Sequence, residues 1–544
     1  MKAGALLLVA AAAYAQNAAL PRLQKNGEAT QMMVDGRPFL MLSGELHNSS
    51  ASSIAYMKPF WDKLAKLHLN TVIGTVSWEL IEPEEGKFDF SLVDAQIREA
   101  RSRGLRLVLI WFGSWKNGNS TYAPMWVKTD PGRFPRTKIN KLANPGPFFG
   151  EGMETLTPLS ETTMTADASA FRALMRHIKT VDPGHTVIMM QVENEPGLLG
   201  DSRDRSALAE KAWSGPVPAG LLAHLAKNRA TLLPEMEKVW GAKGFKTSGT
   251  WADVFGTDPF AEEVFMAWHI ARYIGKVAEA GKAELALPMY ANAWLGPQPR
   301  MDLPGQYPSG GPVARVHDVW RAAAPSLDLL APDIYVEDFK GTCALYARAG
   351  NPLFIPEARA MTGSAFWAIG QNSALGFSPF GIDDLPEHHQ LGNAYQVLGS
   401  LMPLIAKAQS EGRIRGVLMD SETPETVSFA GYKLTVNSVK RYPWMLAEGQ
   451  QAMEQQGRNP PDRRPMGLVL STGPDEFLVA GAGLAINFAP DSPGLPEASI
   501  GWIDEGVYEK GQWIAGRRLN GDEGRPAIPF GPIKVLKIKL YRHE

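Results

Sequence analysis

Two short segments constrain this chain more than any others: Gln191-Val-Glu-Asn-Glu-Pro-Gly197 and Pro352-Leu-Phe-Ile-Pro-Glu-Ala-Arg359. Each opens as an apolar strand, Thr186-Val-Ile-Met-Met190 or Leu353-Phe-Ile355, and ends abruptly at a carboxylate, Glu195 or Glu357. Buried strands that break off at an acid are what a (β/α)₈ barrel presents at its C-terminal face, where that fold places its chemistry. The two acids are about 160 residues apart, too far for a local ion pair, and fit the ends of strands four and seven of one barrel.

The rest of the chain supports that architecture. Strand and helix signals alternate from about residue 30 to about 410, which predicts an α/β fold with a parallel sheet. Phe39-Leu-Met-Leu-Ser43 reads as strand one, Thr71–Val76 as strand two and Leu105–Trp111 as strand three. A long segment from Lys116 to about Thr165, rich in Gly, Pro, Asn and aromatics, leaves the barrel at the catalytic end and reads as a substrate-shaping lid. After Glu195 comes a helical insertion, roughly 219–282, in which Asp258 and Pro259 mark a clean helix start. Strands five to eight follow at Leu287–Trp294, Leu327–Tyr335, Leu353–Glu357 and near Ala374–Phe380, and a helix over 391–408 closes the ring. Beyond residue 411 the pattern becomes short alternating segments, with Leu536, Ile538 and Leu540 on one face and Lys537 and Lys539 on the other. That predicts an antiparallel, sandwich-like all-β domain over 411–544 behind a barrel over 25–410.

Composition excludes several classes. The formal charge is −2, with no basic stripe, so nucleic acid is not an expected partner. A single cysteine, Cys343, rules out an intramolecular disulfide and reads as a buried apolar residue. Lys2 precedes an apolar run over 3–13, and Ala13-Tyr14-Ala15 has the form of a signal cleavage site, so residues 1–15 are expected to direct export to the periplasm or the medium. The run is too short for a membrane anchor, and no membrane partner is expected. Asp383, Asp384, Glu387, His388 and His389 could suggest a metal site, but the acids suit the N-terminal turn of the last barrel helix. No phosphate-cradling or dinucleotide fingerprint occurs, and no cofactor or metal is expected.

Paired carboxylates across a barrel cleft are the usual equipment for glycosidic bond cleavage, one as acid and the other as base or nucleophile. Asn194 is placed to hydrogen-bond the sugar hydroxyl beside the anomeric carbon, whereas Glu193 alternates to the other side of the strand and reads as structural. Trp78, Trp111, Trp115 and Trp294 lie near strand ends as candidate sugar-facing surfaces, and Glu45 and His47 end strand one as candidate substrate contacts.

The motifs Gly44-Glu-Leu-His47, Trp78 with Glu82-Pro-Glu-Glu-Gly-Lys-Phe-Asp-Phe90, and Gln191-Val-Glu-Asn-Glu195 resemble, in order and spacing, those of glycoside hydrolase family 35, the β-galactosidases. The resemblance covers roughly residues 30–400. It implies a retaining enzyme with Glu195 as acid/base, Glu357 as nucleophile and Asn194 as hydroxyl contact, and it makes Tyr335 similar to the clan's tyrosine that hydrogen-bonds the nucleophile. Pro196 and the Pro356-Glu357-Ala358 context depart from the family's usual residues and point to a divergent bacterial subgroup. The implied partner is a galactoside, with xyloglucan oligosaccharides among the candidates, and a homodimer is compatible with this reading. Other clan activities (β-mannosidase, β-xylosidase, endo-glucanase) and a non-catalytic carbohydrate-binding protein are the alternatives.

Overall fold

The computed structural model describes residues 19–150, 154–348, 350–439, 461–492 and 494–544. The expected export signal lies outside them, as does most of 448–464, a polar stretch expected to be an exposed excursion within the C-terminal domain.

The described residues begin with strands not expected from the sequence: β1 (Arg22–Asn26), β2 (Ala29–Val34) and β3 (Arg37–Pro38) form a small sheet. The turn between β2 and β3 is Asp35-Gly36, with φ of 52° and 74°, the backbone that an Asp-Gly hairpin adopts. Eight strands then close into a barrel in chain order: β4 (Met41–Glu45), β5 (Thr71–Ser77), β6 (Arg106–Lys116), β7 (Val187–Asn194), β8 (Met289–Trp294), β9 (Leu329–Ile334), β10 (Ile355–Ala358) and β11 (Gly376–Pro379). Each coincides within a few residues with a strand expected from sequence. The strands are buried on both faces, as parallel strands flanked by helices must be.

The chain divides into two compact units: residues 1–22, 46–58 and 72–338, and residues 23–45, 59–71 and 339–544. In the first, helix α1 (Glu161–Val181) is capped by Ser160, whose side chain accepts from Thr163 N. The insertion after β7 is helical as expected, and its longest helix, α2 (Pro259–Lys282), starts where the sequence placed it. The Asp258 carboxylate accepts from Phe260 N and Ala261 N at 3.0 and 3.2 Å, and Pro259 occupies the first turn. The segment after β6 is laced down, with Lys138 N and Asn140 N donating to Asp204 and Asp201 at 3.0 and 2.6 Å.

In the second unit, helix α3 (Thr362–Gln371) lies on the first C-terminal strands. A Cβ added at Gly363 would stand 2.6 Å from Leu418, and one at Gly370 would stand 2.4 Å from Leu468. Glycine is what permits this approach, and it ties 339–410 to the following sheets, so the compact units do not break at residue 410 as the expected domains do. Helix α4 (Gln390–Ser410) follows. His389 Nδ1 accepts from Leu391 N at its start, and Glu387 pairs with Lys66 at 3.1 Å. Cys343 is buried.

The C-terminal strands form two antiparallel sheets. One runs β12 (Ile414–Leu418), β15 (Met466–Gly473), β16 (Glu476–Ala482), β21 (Lys534–His543), β18 (Glu497–Glu509), β19 (Gln512–Leu519). The other runs β13 (Glu425–Phe429), β14 (Tyr432–Ser438), β17 (Leu484–Pro490), β20 (Ala527–Ile528). Their inner faces share a core that includes Phe429, Leu434, Ile486, Phe477, Leu536, Ile538 and Leu540. The alternation read along 536–540 is therefore a sandwich face, with Lys537 and Lys539 turned outward.

Candidate active site

The site begins with an irregularity. β6 and β7 pair in register as far as Trp111 opposite Val192, and the next pair is Lys116 opposite Asn194, so β6 carries extra residues against Glu193. Such bulges re-aim side chains at strand ends. Glu193 and Glu195 both take positive φ, 65° and 44°. For residues with a side chain this left-handed backbone costs about 1–2 kcal/mol each, and it persists only where the surroundings hold it.

What holds Glu193 lies beneath. Its carboxyl accepts from Ser114 N and Trp115 N at 3.0 and 2.7 Å. It also hydrogen-bonds Asp167 of α1, which accepts from Trp111 Nε1 (2.8 Å), Ser114 Oγ (2.6 Å) and Tyr273 OH (3.1 Å). Both acids are fully buried. Burial, and then the neighbouring Asp167 charge, hold Glu193 well above the usual carboxylate range, so it keeps its proton and donates it to Asp167. Gly113 makes the cluster possible, because a Cβ there would come within 2.4–2.8 Å of Trp111, Glu193 and Asp167. Glu193 is thus held in a structural role by the donors that enclose it.

Above this floor the polar groups are arranged differently. Asn194 is buried, and its Oδ1 accepts from Lys116 Nζ at 2.8 Å, while its Nδ2 has no partner among the described residues. Glu195 is 6 % exposed, and its backbone N–H donates to Asn292 Oδ1 at 2.9 Å. Asn292, on β8, donates in turn from Nδ2 to Asp333 of β9 at 2.6 Å. Carboxylate oxygens of Glu195 and Asp333 lie within 4.8 Å of each other, close enough to share a hard cation. Three adjacent strands thus fix the backbone of Glu195 through one amide side chain.

Glu357 is the third residue of the four-residue β10 and is 6 % exposed. Both glutamates stand at or just beyond the C-terminal ends of strands in a closed parallel barrel, the end at which the fold places catalytic groups. Glu45 ends β4 and is buried, and His47, two residues on, is half-buried. Tyr335, one residue past β9, is 37 % exposed.

The tryptophans correct the sequence reading. Trp78, Trp111 and Trp115 are closed off from solvent and present no face to a sugar. Trp78 donates to Glu82 at 2.8 Å, Trp111 to Asp167, and Trp115 packs edge-on to Tyr273 at 4.6 Å. A large indole whose N–H finds a buried acceptor is more stable in the core than at a rim, and nearness to a strand end does not distinguish the two. Trp294, ending β8, is only partly buried and meets Phe148, itself 58 % exposed, edge to face at 5.2 Å. Phe148, Lys116, Asn292 and Asp333 were not anticipated. Asn292 and Asp333 did leave a signal: each is a polar residue interrupting an otherwise apolar buried strand.

Three comparisons bear on this geometry. Residues 55–256 match the family model of glycoside hydrolase family 42, described as "Beta-galactosidase". Residues 391–530 match a domain of unknown function, DUF5597. The first match spans Asn194 and Glu195 and stops before Glu357. It is a β-galactosidase model. The model that matches is that of family 42 and not 35, so the family 35 expectation is not supported, while the broader resemblance to β-galactosidases is. The β-galactosidase of Xanthomonas manihotis is 30 % identical over 217 residues, which is 38 % of this chain and 32 % of that protein; the chain thus spans about a third of this relative's length. Among solved structures, the β-galactosidase of Bacillus circulans sp. alkalophilus is 15 % identical over 68 % of this chain and 57 % of its own, with a TM-score of 0.44. The β-amylase catalytic domain of Paenibacillus polymyxa is 17 % identical over 63 % and 92 %, with a TM-score of 0.40.

Proposed function

We propose that this chain is an exported, exo-acting, retaining β-galactosidase that releases terminal β-galactose from plant oligosaccharides or polysaccharide side chains. The observation that carries the reading is Asn194-Glu195 at the end of the fourth barrel strand, inside the segment similar to β-galactosidases. The unpartnered Nδ2 of Asn194, its Oδ1 already held by Lys116, suits a donor to the hydroxyl beside the anomeric carbon.

In this reading Glu357 attacks the anomeric carbon while Glu195 gives its proton to the departing glycosidic oxygen, forming a glycosyl ester on Glu357. Glu195, now a carboxylate, takes a proton from water. That water attacks the anomeric carbon and breaks the ester, regenerating both groups and releasing the β-anomer. Trp294 with Phe148 offers an aromatic platform for a sugar face. Export rests on the apolar run over 3–13 that precedes Ala15.

The test is a panel of aryl β-galactoside, glucoside, mannoside, xyloside and arabinoside, with the released sugar followed by NMR. Dominant galactoside cleavage with initial β-anomer is expected. Initial α-anomer would contradict the nucleophile role of Glu357, and another preferred sugar would overturn the galactose assignment.

A further inference from the structure

A depression of about 770 Å³ lies among the segments that follow β5 and β6 and the stretch of α1 from Glu161 to Arg176. We propose that it is a second carbohydrate site, for a neutral oligosaccharide, separate from the Glu195 machinery.

Its aromatic surfaces are held in place. Trp126 Nε1 donates to Glu82 O at 3.0 Å, and the ring stands edge-on to Trp78 and Phe134 at 5.7 and 5.4 Å. Phe88 is 40 % exposed and lies parallel to Phe90, with an interplanar angle of 2° and centroids 5.8 Å apart. Opposite them α1 presents Thr162, Thr165, Ala166, Ser169 and Ala173, spaced to share one helical face. Small side chains there leave a trough beside the rings. The buried carboxyl of Glu82 is engaged by Trp78 Nε1 and Gly86 N at 2.8 and 2.7 Å, so the floor is a finished hydrogen-bonded layer.

The charges decide the ligand class. Every arginine in the lining has an acid: Arg133 is bidentate with Glu85 at 3.0 and 2.6 Å, and Arg172 and Arg176 share Glu284 at 3.2 and 2.7 Å. A site for phosphate or a uronic acid would keep a guanidinium fork available for the anion. Paired planar ions beside flat aromatic faces and hydroxyls suit instead a neutral sugar, whose C–H face lies on a ring and whose hydroxyls bridge donor and acceptor. Placed among the loops of the barrel's C-terminal face, the site would hold a chain rather than cleave it.

The choice of a sugar rests on the glycosidase reading, and the experiment separates the two. Ser169→Trp fills the trough from an exposed helical position, and Phe88→Ala removes an exposed ring. Each is expected to lower affinity for β-1,4-galactotetraose or cellotetraose at least tenfold by calorimetry, measured on a Glu357→Ala background so that the ligand is not consumed. With Glu357 intact, turnover of an aryl galactoside should be unchanged. Loss of all aryl-galactoside activity in the unmodified enzyme would sink the glycosidase reading alone. The second site is overturned if neither tetrasaccharide binds, if both variants bind them as before, or if tetragalacturonate is preferred.

Discussion

The end of β7 and the C-terminal sheets use buried positions in opposite ways. Over 193–195 the chain buries Glu, Asn and Glu in succession, two of them in left-handed backbone. The sandwich core is aliphatic and aromatic, with Tyr432 sending its hydroxyl outward to Asp475. Buried polar groups are costly unless satisfied, and closed apolar packing is what stabilises a domain. The difference separates the proposed catalytic rim from the packing that stabilises the sheets. It also separates two acids only two residues apart: Glu193 is enclosed by N–H donors and a shared proton, while Glu195 has its backbone fixed by a neighbouring strand and its carboxylate beside another.

If the comparison holds, changes at the two regions should divide activity from stability. The largest effect is expected at the proposed pair. Glu195→Gln should lower turnover of substrates with poor leaving groups about 10²–10⁴-fold, the usual share of general acid–base catalysis, with the melting temperature kept or raised. Substrates with activated aryl leaving groups should lose less in the first step. Retained turnover on lactose would break the assignment. Glu357→Ala should be inactive, and azide should restore turnover with an α-galactosyl azide as product; a β-azide would place the nucleophile elsewhere.

Next is Asn292→Ala. It removes the acceptor for Glu195 N and the donor to Asp333 together. A misplacement of about 1 Å at a reacting group can cost about 10²-fold, so kcat/KM should fall by about that factor with far-UV circular dichroism unchanged. An unchanged kcat/KM would show that Glu195 is held by something other than this amide.

Within the sandwich, Ile538→Ala should do the reverse. Ile538 is fully buried on β21 and belongs to the shared core. Its truncation should cost about 2–5 kcal/mol in the unfolding of the C-terminal sheets while kcat per folded molecule stays put. Lost activity in the still-folded protein would mean that the sheets serve the active site directly.

These regions also differed in how much of them could be read from the chain. The barrel was legible because its strands are apolar runs that alternate with helical patterns, and the sandwich because Leu536, Ile538 and Leu540 alternate with lysines. Both are local patterns. Glu195 and Glu357 stand out as candidates because each breaks an apolar run. The roles of Trp78, Trp111 and Trp115 were not, since which way a strand-end indole turns is set by the bulge of β6 and by acceptors as distant in sequence as Asp167. Asn292 and Asp333 were overlooked for a related reason. Their meaning lies in a hydrogen bond between neighbouring strands 41 residues apart in sequence, although each stood out as a polar residue in a buried strand.

The smallest effect comes from a half-buried histidine whose Nε2 is closed off from solvent and which serves neither purpose. His269 on α2 packs against Phe265 and Trp251, with centroids 4.6 and 6.1 Å away, and its Nε2 has no partner among the described residues. Burial, with Arg272 adding to it, lowers its pKa to about 3 from the ordinary 6.5. Above pH 6.5 the ring is neutral in folded and unfolded chains alike, so its packing contribution is fully present. As pH falls below 6.5 the unfolded chain takes up a proton that the folded one refuses, and stability is lost progressively towards pH 3. At pH 5 the loss should be about 2 kcal/mol. His269→Phe keeps an aromatic ring there and removes the titration, so its urea midpoint relative to the parent should be higher at pH 5 than at pH 8. Equal differences at the two pH values would mean that the imidazole protonates as easily in the folded helix as in the unfolded chain. The surroundings of His269 beside Trp251 and Phe265 would then be wet, and the division between polar rim and dry packing would not extend to this helix.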